Sequence, residues 1–163
     1  MHRLSVLLVI VVLFVTGCSD TEGKFTETRV FAGSNSNWDV SIQFDYLEEL
    51  VPKTSDIFLH KRTTTKIQRI HYLGSERIDR LDFNFYGPYN RNTCGGGYSP
   101  GEGEELNFKL QQTVGGIGSA DINRVEADNI RFTSEGIIPG VDETVRLELV
   151  YNGKKETIDL KLK

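Results

Sequence analysis

His60, His71, Cys94 and the carboxylates Glu102, Glu104 and Glu105 are the groups whose chemistry first suggests a metal site or a catalytic one. Their spacing assembles neither. Structural zinc takes four Cys and His ligands, usually in close pairs, and two histidines and one cysteine so widely separated do not supply them. The three glutamates offer hard oxygen ligands of the kind Ca²⁺ accepts, but the alternating acidic pattern of a calcium loop is absent. A solvated acidic loop is the expectation there. Gly115-Gly116-Ile117-Gly118 has the density of a phosphate cradle. A dinucleotide fingerprint requires a third glycine where Ala120 or Asp121 stands, and a helix after it. A glycine-rich turn is expected instead. No G-x-S-x-G is present, and a Ser-His-Asp triad assembles in space, not in sequence. The chain therefore predicts no catalytic residues, no metal and no cofactor.

The segment from Tyr86 to Glu105 is the most unusual in composition. It holds Gly87, Gly95, Gly96, Gly97, Gly101 and Gly103 with Pro88 and Pro100. Connections of this length are uncommon and are often binding loops. Tyrosine gives contact area at low entropic cost. Tyr89, Cys94, Tyr98, Glu102 and Glu104 are thus the candidate binding residues. Cys94 has no Lys, Arg or His within two positions to lower its pKa, so an ordinary free thiol is expected.

The other cysteine has a different setting. His2 and Arg3 give a short basic start, and Leu4 to Val15 is an apolar run of 12 residues broken only by Ser5. A membrane-spanning helix needs about 20, whereas a basic start, a short apolar core and small residues before a cut site define a secretory signal. Val15-Thr16-Gly17-Cys18 resembles the lipobox of bacterial lipoproteins. The resemblance implies that the Cys18 thiol receives a diacylglycerol and that cleavage falls just before it. Two acyl chains on one residue hold a membrane stably where one does not. The implied location is the outer face of a Gram-positive cell membrane, or the outer membrane or periplasm of a Gram-negative cell. Residues 1–17 are then a signal peptide, 18–26 a lipidated flexible tether and 27–163 a single β-sandwich domain. The formal net charge is −4. A nucleic-acid binder needs a basic face, so no nucleic-acid partner is expected, and membrane attachment falls to the lipid on Cys18.

The elements that must position these residues are strands. Trp38, Val40, Ile42, Phe44 and Tyr46 alternate with polar residues, which gives a strand one apolar face. Leu81, Phe83 and Phe85 repeat the pattern, as do Leu106, Phe108 and Leu110, then Val145 to Tyr151, then Ile158 to Leu162. Weaker strand signals lie at 28–31, 57–62, 66–73 and 130–133. Tyr46 to Val51 suits a single turn after a strand, and no segment shows a helical period. Asn152-Gly153 is a type I′ turn signal. It places Leu147 opposite Ile158, Val145 opposite Leu160 and Arg146 opposite Asp159. Pro139-Gly140 suggests a tight turn leading in, with φ > 0 at the glycine. Trp38 is expected in the core. Together these predict an all-β antiparallel sandwich or barrel of roughly 7–9 strands. Asn37-Trp38-Asp39-Val40 and Asn152-Gly153-Lys154-Lys155-Glu156-Thr157 are similar to motifs that bracket an immunoglobulin-like antiparallel β-sandwich in small Gram-positive lipoproteins. That resemblance implies a fold and carries no catalytic residues.

The functional expectation is a lipid-anchored binding or interaction module, presenting its strand edges and the 86–105 loop to an envelope protein or a small ligand. The alternatives are an envelope hydrolase using His71 or the loop carboxylates, and a purely structural envelope component.

Overall fold

Alternation along Trp38–Pro52 sets the frame of the molecule: Trp38, Val40, Ile42, Phe44 and Tyr46 point inward and are buried, while the residues between them are not. The structure is a computed structural model that describes residues 23–88, 92–103 and 106–163. Cys18, Tyr89 and Glu104 lie outside the described residues. The elements are β1 (Lys24–Ser34), β2 (Trp38–Pro52), β3 (Ile57–Tyr72), β4 (Leu81–Tyr86), β5 (Asn92–Tyr98), β6 (Lys109–Asn123), the short helix α1 (Arg124–Asp128), β7 (Val145–Tyr151) and β8 (Lys154–Leu162). The fold is all-β, and the described residues form eight strands, within the expected 7–9.

All strand pairs are antiparallel, in the order β5-β4-β7-β8-β1-β2-β3-β6. The ladder between β8 and β1 has only two residue pairs, Phe31 with Leu162 and Ala32 with Lys161. At this seam the sheet turns back on itself, so that its two halves face each other across one core. Trp38 on β2 meets Tyr151 on β7 with ring centroids 5.2 Å apart, and Tyr72 on β3 lies 4.7 Å from Trp38. Aromatic pairs in such tilted geometries add to the gain from burial alone.

The closing hairpin has the expected register. Val145 pairs with Leu160, Leu147 with Ile158, and Arg146 with Asp159, whose side chains meet at 3.1 Å. Asn152 and Gly153 both take positive φ, as a two-residue type I′ loop requires. The two bracketing motifs also meet. The Glu156 carboxylate accepts from Asn35 at 2.9 Å, from Asn37 at 3.3 Å and from the Tyr151 hydroxyl. Asn35 in turn accepts from the backbone N–H groups of Asn37 and Trp38. This polar buckle fixes the turn that delivers Trp38 to the core.

Seven local expectations are corrected. Gly115 to Gly118 do not turn; they are the middle of β6, held by pairing with Thr65 to Arg62 of β3. A full ladder with a long neighbour outweighs the weak strand preference of glycine. The 86–105 segment contains β5, because Leu81 to Phe85 pair with Tyr98 to Cys94. Strand β2 runs through to Pro52 where a turn was expected from Tyr46 to Val51, and β6 begins at Lys109, leaving Leu106 exposed. Residues 130–133 form no strand. Gly140 lacks positive φ; the turn is closed by the Glu143 N–H donating to the Gly140 carbonyl, and the left-handed glycine is Gly136. The first strand also begins at Lys24, inside the expected tether.

The helix α1 escaped notice because five residues carry no readable period. It is set by a capping box. The Asn123 side chain accepts from the Glu126 N–H, and Glu126 accepts from the Asn123 N–H, both at 2.9 Å.

The seam demands a bare backbone at Gly33. A Cβ there would lie 2.7 Å from the Asp159 carbonyl oxygen and 2.9 Å from Leu160. Gly33→Ala is expected to destabilise the fold by about 1–3 kcal/mol, read from urea unfolding. A change close to zero would show that β1 and β8 do not approach this closely.

Candidate functional site

The inner face of the β1-β2-β3 layer changes character along the strands. On β2 it reads Trp38, Val40, Ile42, Phe44, Tyr46 and then Glu48. The register places Arg29 and Lys66 beside Phe44, Glu27 and Thr64 beside Tyr46, and Phe25 and Arg62 beside Glu48. Past Phe44, therefore, the face that forms the core elsewhere carries charge.

Glu48 is fully buried, 0% exposed. Its Oε1 accepts from His60 Nε2 at 2.7 Å and from Arg62 Nε at 3.0 Å. Its Oε2 accepts from the Tyr46 hydroxyl at 2.9 Å and from the Thr133 backbone N–H at 3.2 Å. Burial pushes this carboxyl up, and the four donors outweigh it, so that Glu48 is held below its usual range. Tyr46 moves the other way. Burial first, then its bond to the Glu48 carboxylate, push its pKa up to about 12.

A second cluster sits beside the first. Arg29 donates from Nε to Glu27 at 2.7 Å, from one terminal nitrogen to Ser134 Oγ at 3.1 Å, and from the other to the Pro139 carbonyl. The Ser134 hydroxyl donates to Glu27. This hydroxyl contact is the main cause of a lowered Glu27 pKa, with burial opposing it and Arg29 assisting.

Both clusters tie the irregular segment 129–143 to the sheet. Between the segment and the sheet lies an open groove of ≈ 930 Å³. Phe25, Glu27, Arg29 and Lys66 form its sheet side, residues 132–143 its other wall, and Gly87 and Pro88 part of its rim. The volume falls within the usual range of small-molecule sites, about 300–1,000 Å³. The groove offers paired charges, aromatic edges from Phe25 and Phe132, and exposed main chain. These are means of binding and orienting a ligand.

The residues singled out from sequence are not brought together here. Cys94 lies on β5, half-buried and packed against the core. Burial pushes its thiol pKa up, while Gln68 and Lys66 across the core pull it down by less. Tyr98 also turns inward, with its ring 5.2 Å from that of Phe108. Both were expected to present an adaptable loop; as inner-face residues of β5 they pack instead. Glu102 is exposed. His60 and His71 both belong to β3, eleven positions apart, which is about 36 Å of strand. They do not share a site. No group of three His, Cys, Asp or Glu side chains is placed to hold a metal ion among the described residues. No helix among them is long and apolar enough to cross a membrane.

Sequence reading missed Glu27, Arg29, Glu48 and Ser134. The first three carried a signal: each stands at a position in phase with an apolar face, Glu48 two residues after Tyr46, and Glu27 and Arg29 between Phe25 and Phe31. A charge in phase with a buried stripe has to find partners or a cavity.

Comparison with protein-family models, with curated proteins and with solved structures gives no match.

A carboxylate whose folded pKa is depressed contributes stability that is complete above its unfolded pKa, near 4.5, and is lost as pH falls through the folded value. Glu48→Gln is expected to cost about 1–3 kcal/mol at neutral pH, since buried donors lose their charged acceptor. It should also flatten the acid limb of the stability profile below pH 4.5. The flattening is partial, because Glu27 and Glu156 titrate in the same direction. Urea unfolding across an acid pH series reads both effects; an unchanged acid limb would contradict the assignment.

Proposed function

We propose that this chain is a binding module, held at an extracytoplasmic membrane surface by lipid on Cys18, that takes a small ligand into the groove beneath residues 132–143. The observation that carries the reading is the change of the inner sheet face from apolar to paired charge past Phe44, under a segment fixed to the sheet by polar contacts. A protein that needed only a core would continue the apolar stripe. Here the stripe gives way to Glu27, Arg29 and Glu48, and a groove remains open beside them. Buried, precisely satisfied polar groups next to apolar walls are how small-molecule sites fix orientation.

The lipid anchor rests on Val15-Thr16-Gly17-Cys18, which resembles a lipobox. The domain's acidic balance supports the same division of labour. A surface of net negative charge is not drawn to anionic lipid, so attachment falls to the acyl chains and the groove is left to face outward.

Two measurements test the parts separately. Cys18→Ala is expected to move the protein from the membrane fraction to the soluble fraction, or to stall it as a precursor; unchanged membrane retention would remove the anchor. For the groove, small solutes from a cell-envelope extract are dialysed against the protein and the retained species identified by mass spectrometry. Val141 lines the groove and is exposed, so Val141→Trp should fill space without disturbing the core. Retention by the wild type, reduced at least about tenfold in Val141→Trp, a difference of about 1.4 kcal/mol, is the expected result. No retained solute, or equal retention by both proteins, would overturn the reading.

A further inference from the structure

We propose that the free edge of β6 is a homodimer interface, in which two copies of the chain join antiparallel through residues 109–121 to make one continuous sheet. Among the described residues, strand β6 ends the strand order and pairs only with β3. Its other edge has no strand partner among them. Every residue from Gln111 to Asp121 is exposed. Proteins normally protect such an edge with charges, proline, a bulge or brevity. This strand has 15 residues, and from Leu110 to Ala120 it holds no charge and no proline.

Symmetry restricts how two copies can meet. A twofold axis perpendicular to the sheet keeps each side chain on its own face, so facing residue numbers must sum to an even value. One such register matches throughout. With Gly115 opposite its own copy, Lys109 faces Asp121 of the second copy, and the pair forms twice. On the same outer face Gln111 meets Ser119 and the β-branched Thr113 meets Ile117. Cross-strand pairs of these kinds are the unit of sheet stabilisation. On the inner face each larger residue meets a small one: Leu110 faces Ala120, Gln112 faces Gly118, and Val114 faces Gly116.

The neighbouring even registers lose this match. Shifting the centre to Val114 sets Lys109 against Ser119, and shifting it to Gly116 sets Lys109 against Asn123. The two charges of β6 lie at its ends with opposite signs and a neutral stretch between them, which is a self-complementary pattern. Asp121 also contacts Lys53 at 2.7 Å, and a carboxylate has acceptor capacity for both lysines. Gly116 and Gly118, expected to turn, thus gain a role: they leave room on the inner face for Val114 and Gln112 of the second copy.

Full-length protein in mild detergent tests this by cross-linking. Facing Cα atoms of an antiparallel pair lie about 4.5–5.5 Å apart, within disulfide reach. Gly115→Cys has room for its side chain, since a Cβ there meets nothing closer than 3.6 Å. It is expected to form a disulfide-linked dimer on mild oxidation, above the background of the wild type. Ser119→Cys is the control, because its copy lies eight positions away, about 26 Å. Adding Lys109→Glu to Gly115→Cys should lower the dimer yield several-fold, and adding Asp121→Lys to that variant should restore it. Sedimentation of the wild-type chain should show a dimer that grows with concentration. Gly115→Cys cross-linking no better than Ser119→Cys, failure of the charge reversal to restore yield, or a wild-type chain that sediments only as monomer would each overturn the proposal. None of these readouts depends on the groove, so they stand or fall apart from the ligand-binding reading.

Discussion

A carboxylate with no access to solvent must be surrounded by donors, and Glu48 is such a carboxylate. Its position on β2 leaves it no alternative. Strand periodicity that sends Trp38, Val40, Ile42, Phe44 and Tyr46 inward sends Glu48 inward too. An unpaired buried charge costs several kcal/mol, so the surrounding chain is constrained to supply hydrogen bonds. Tyr46, His60 and Arg62 do so from the sheet, and the Thr133 N–H does so from outside it. The last of these draws an irregular segment onto the sheet face. The groove exists because that segment is held at a few polar points and is not packed down as another strand.

The same logic connects the groove to its neighbour cluster. Arg29 and Glu27 also lie in phase with buried aromatics, and they meet Ser134 and Pro139 of the same segment. Two independent charged pairs therefore grip residues 133–139, one through a backbone N–H and one through side chains and a carbonyl. At the far end of the molecule the apolar part of the stripe does the opposite work. Trp38, Tyr72, Phe108 and Tyr151 stack together and close the two sheet halves on one another. The protein thus divides a single set of strands into a stabilising end and a polar end.

How much of this was legible in the sequence differs by element. The β7-β8 hairpin was readable to the residue, because turn chemistry, apolar pairing and the Arg146–Asp159 pair all specify one register. Strand β2 was readable for the same reason of strict alternation. Strand β6 was not, since glycine carries no strand signal and only its long ladder with β3 extends it. Strand β5 was hidden by Gly95, Gly96 and Gly97, which pair with Asn84 to Asp82. Among candidate residues, Cys94 and Tyr98 were chosen for composition and turned out to pack inward. The groove residues were overlooked because a charge does not continue an apolar stripe, although Glu27, Arg29 and Glu48 all stand on the inward phase.

Glu48 holds the 129–143 segment in place through the Thr133 N–H and so shapes the groove. Amide hydrogen exchange of the wild type and of Glu48→Ala measures this directly. Protection is expected to be lost selectively at Thr133 and its neighbours through residue 143, while the β7-β8 hairpin, which supplies none of the Glu48 donors, keeps its slow exchange. Unchanged protection at Thr133, or an equal loss of protection in the hairpin, would contradict it.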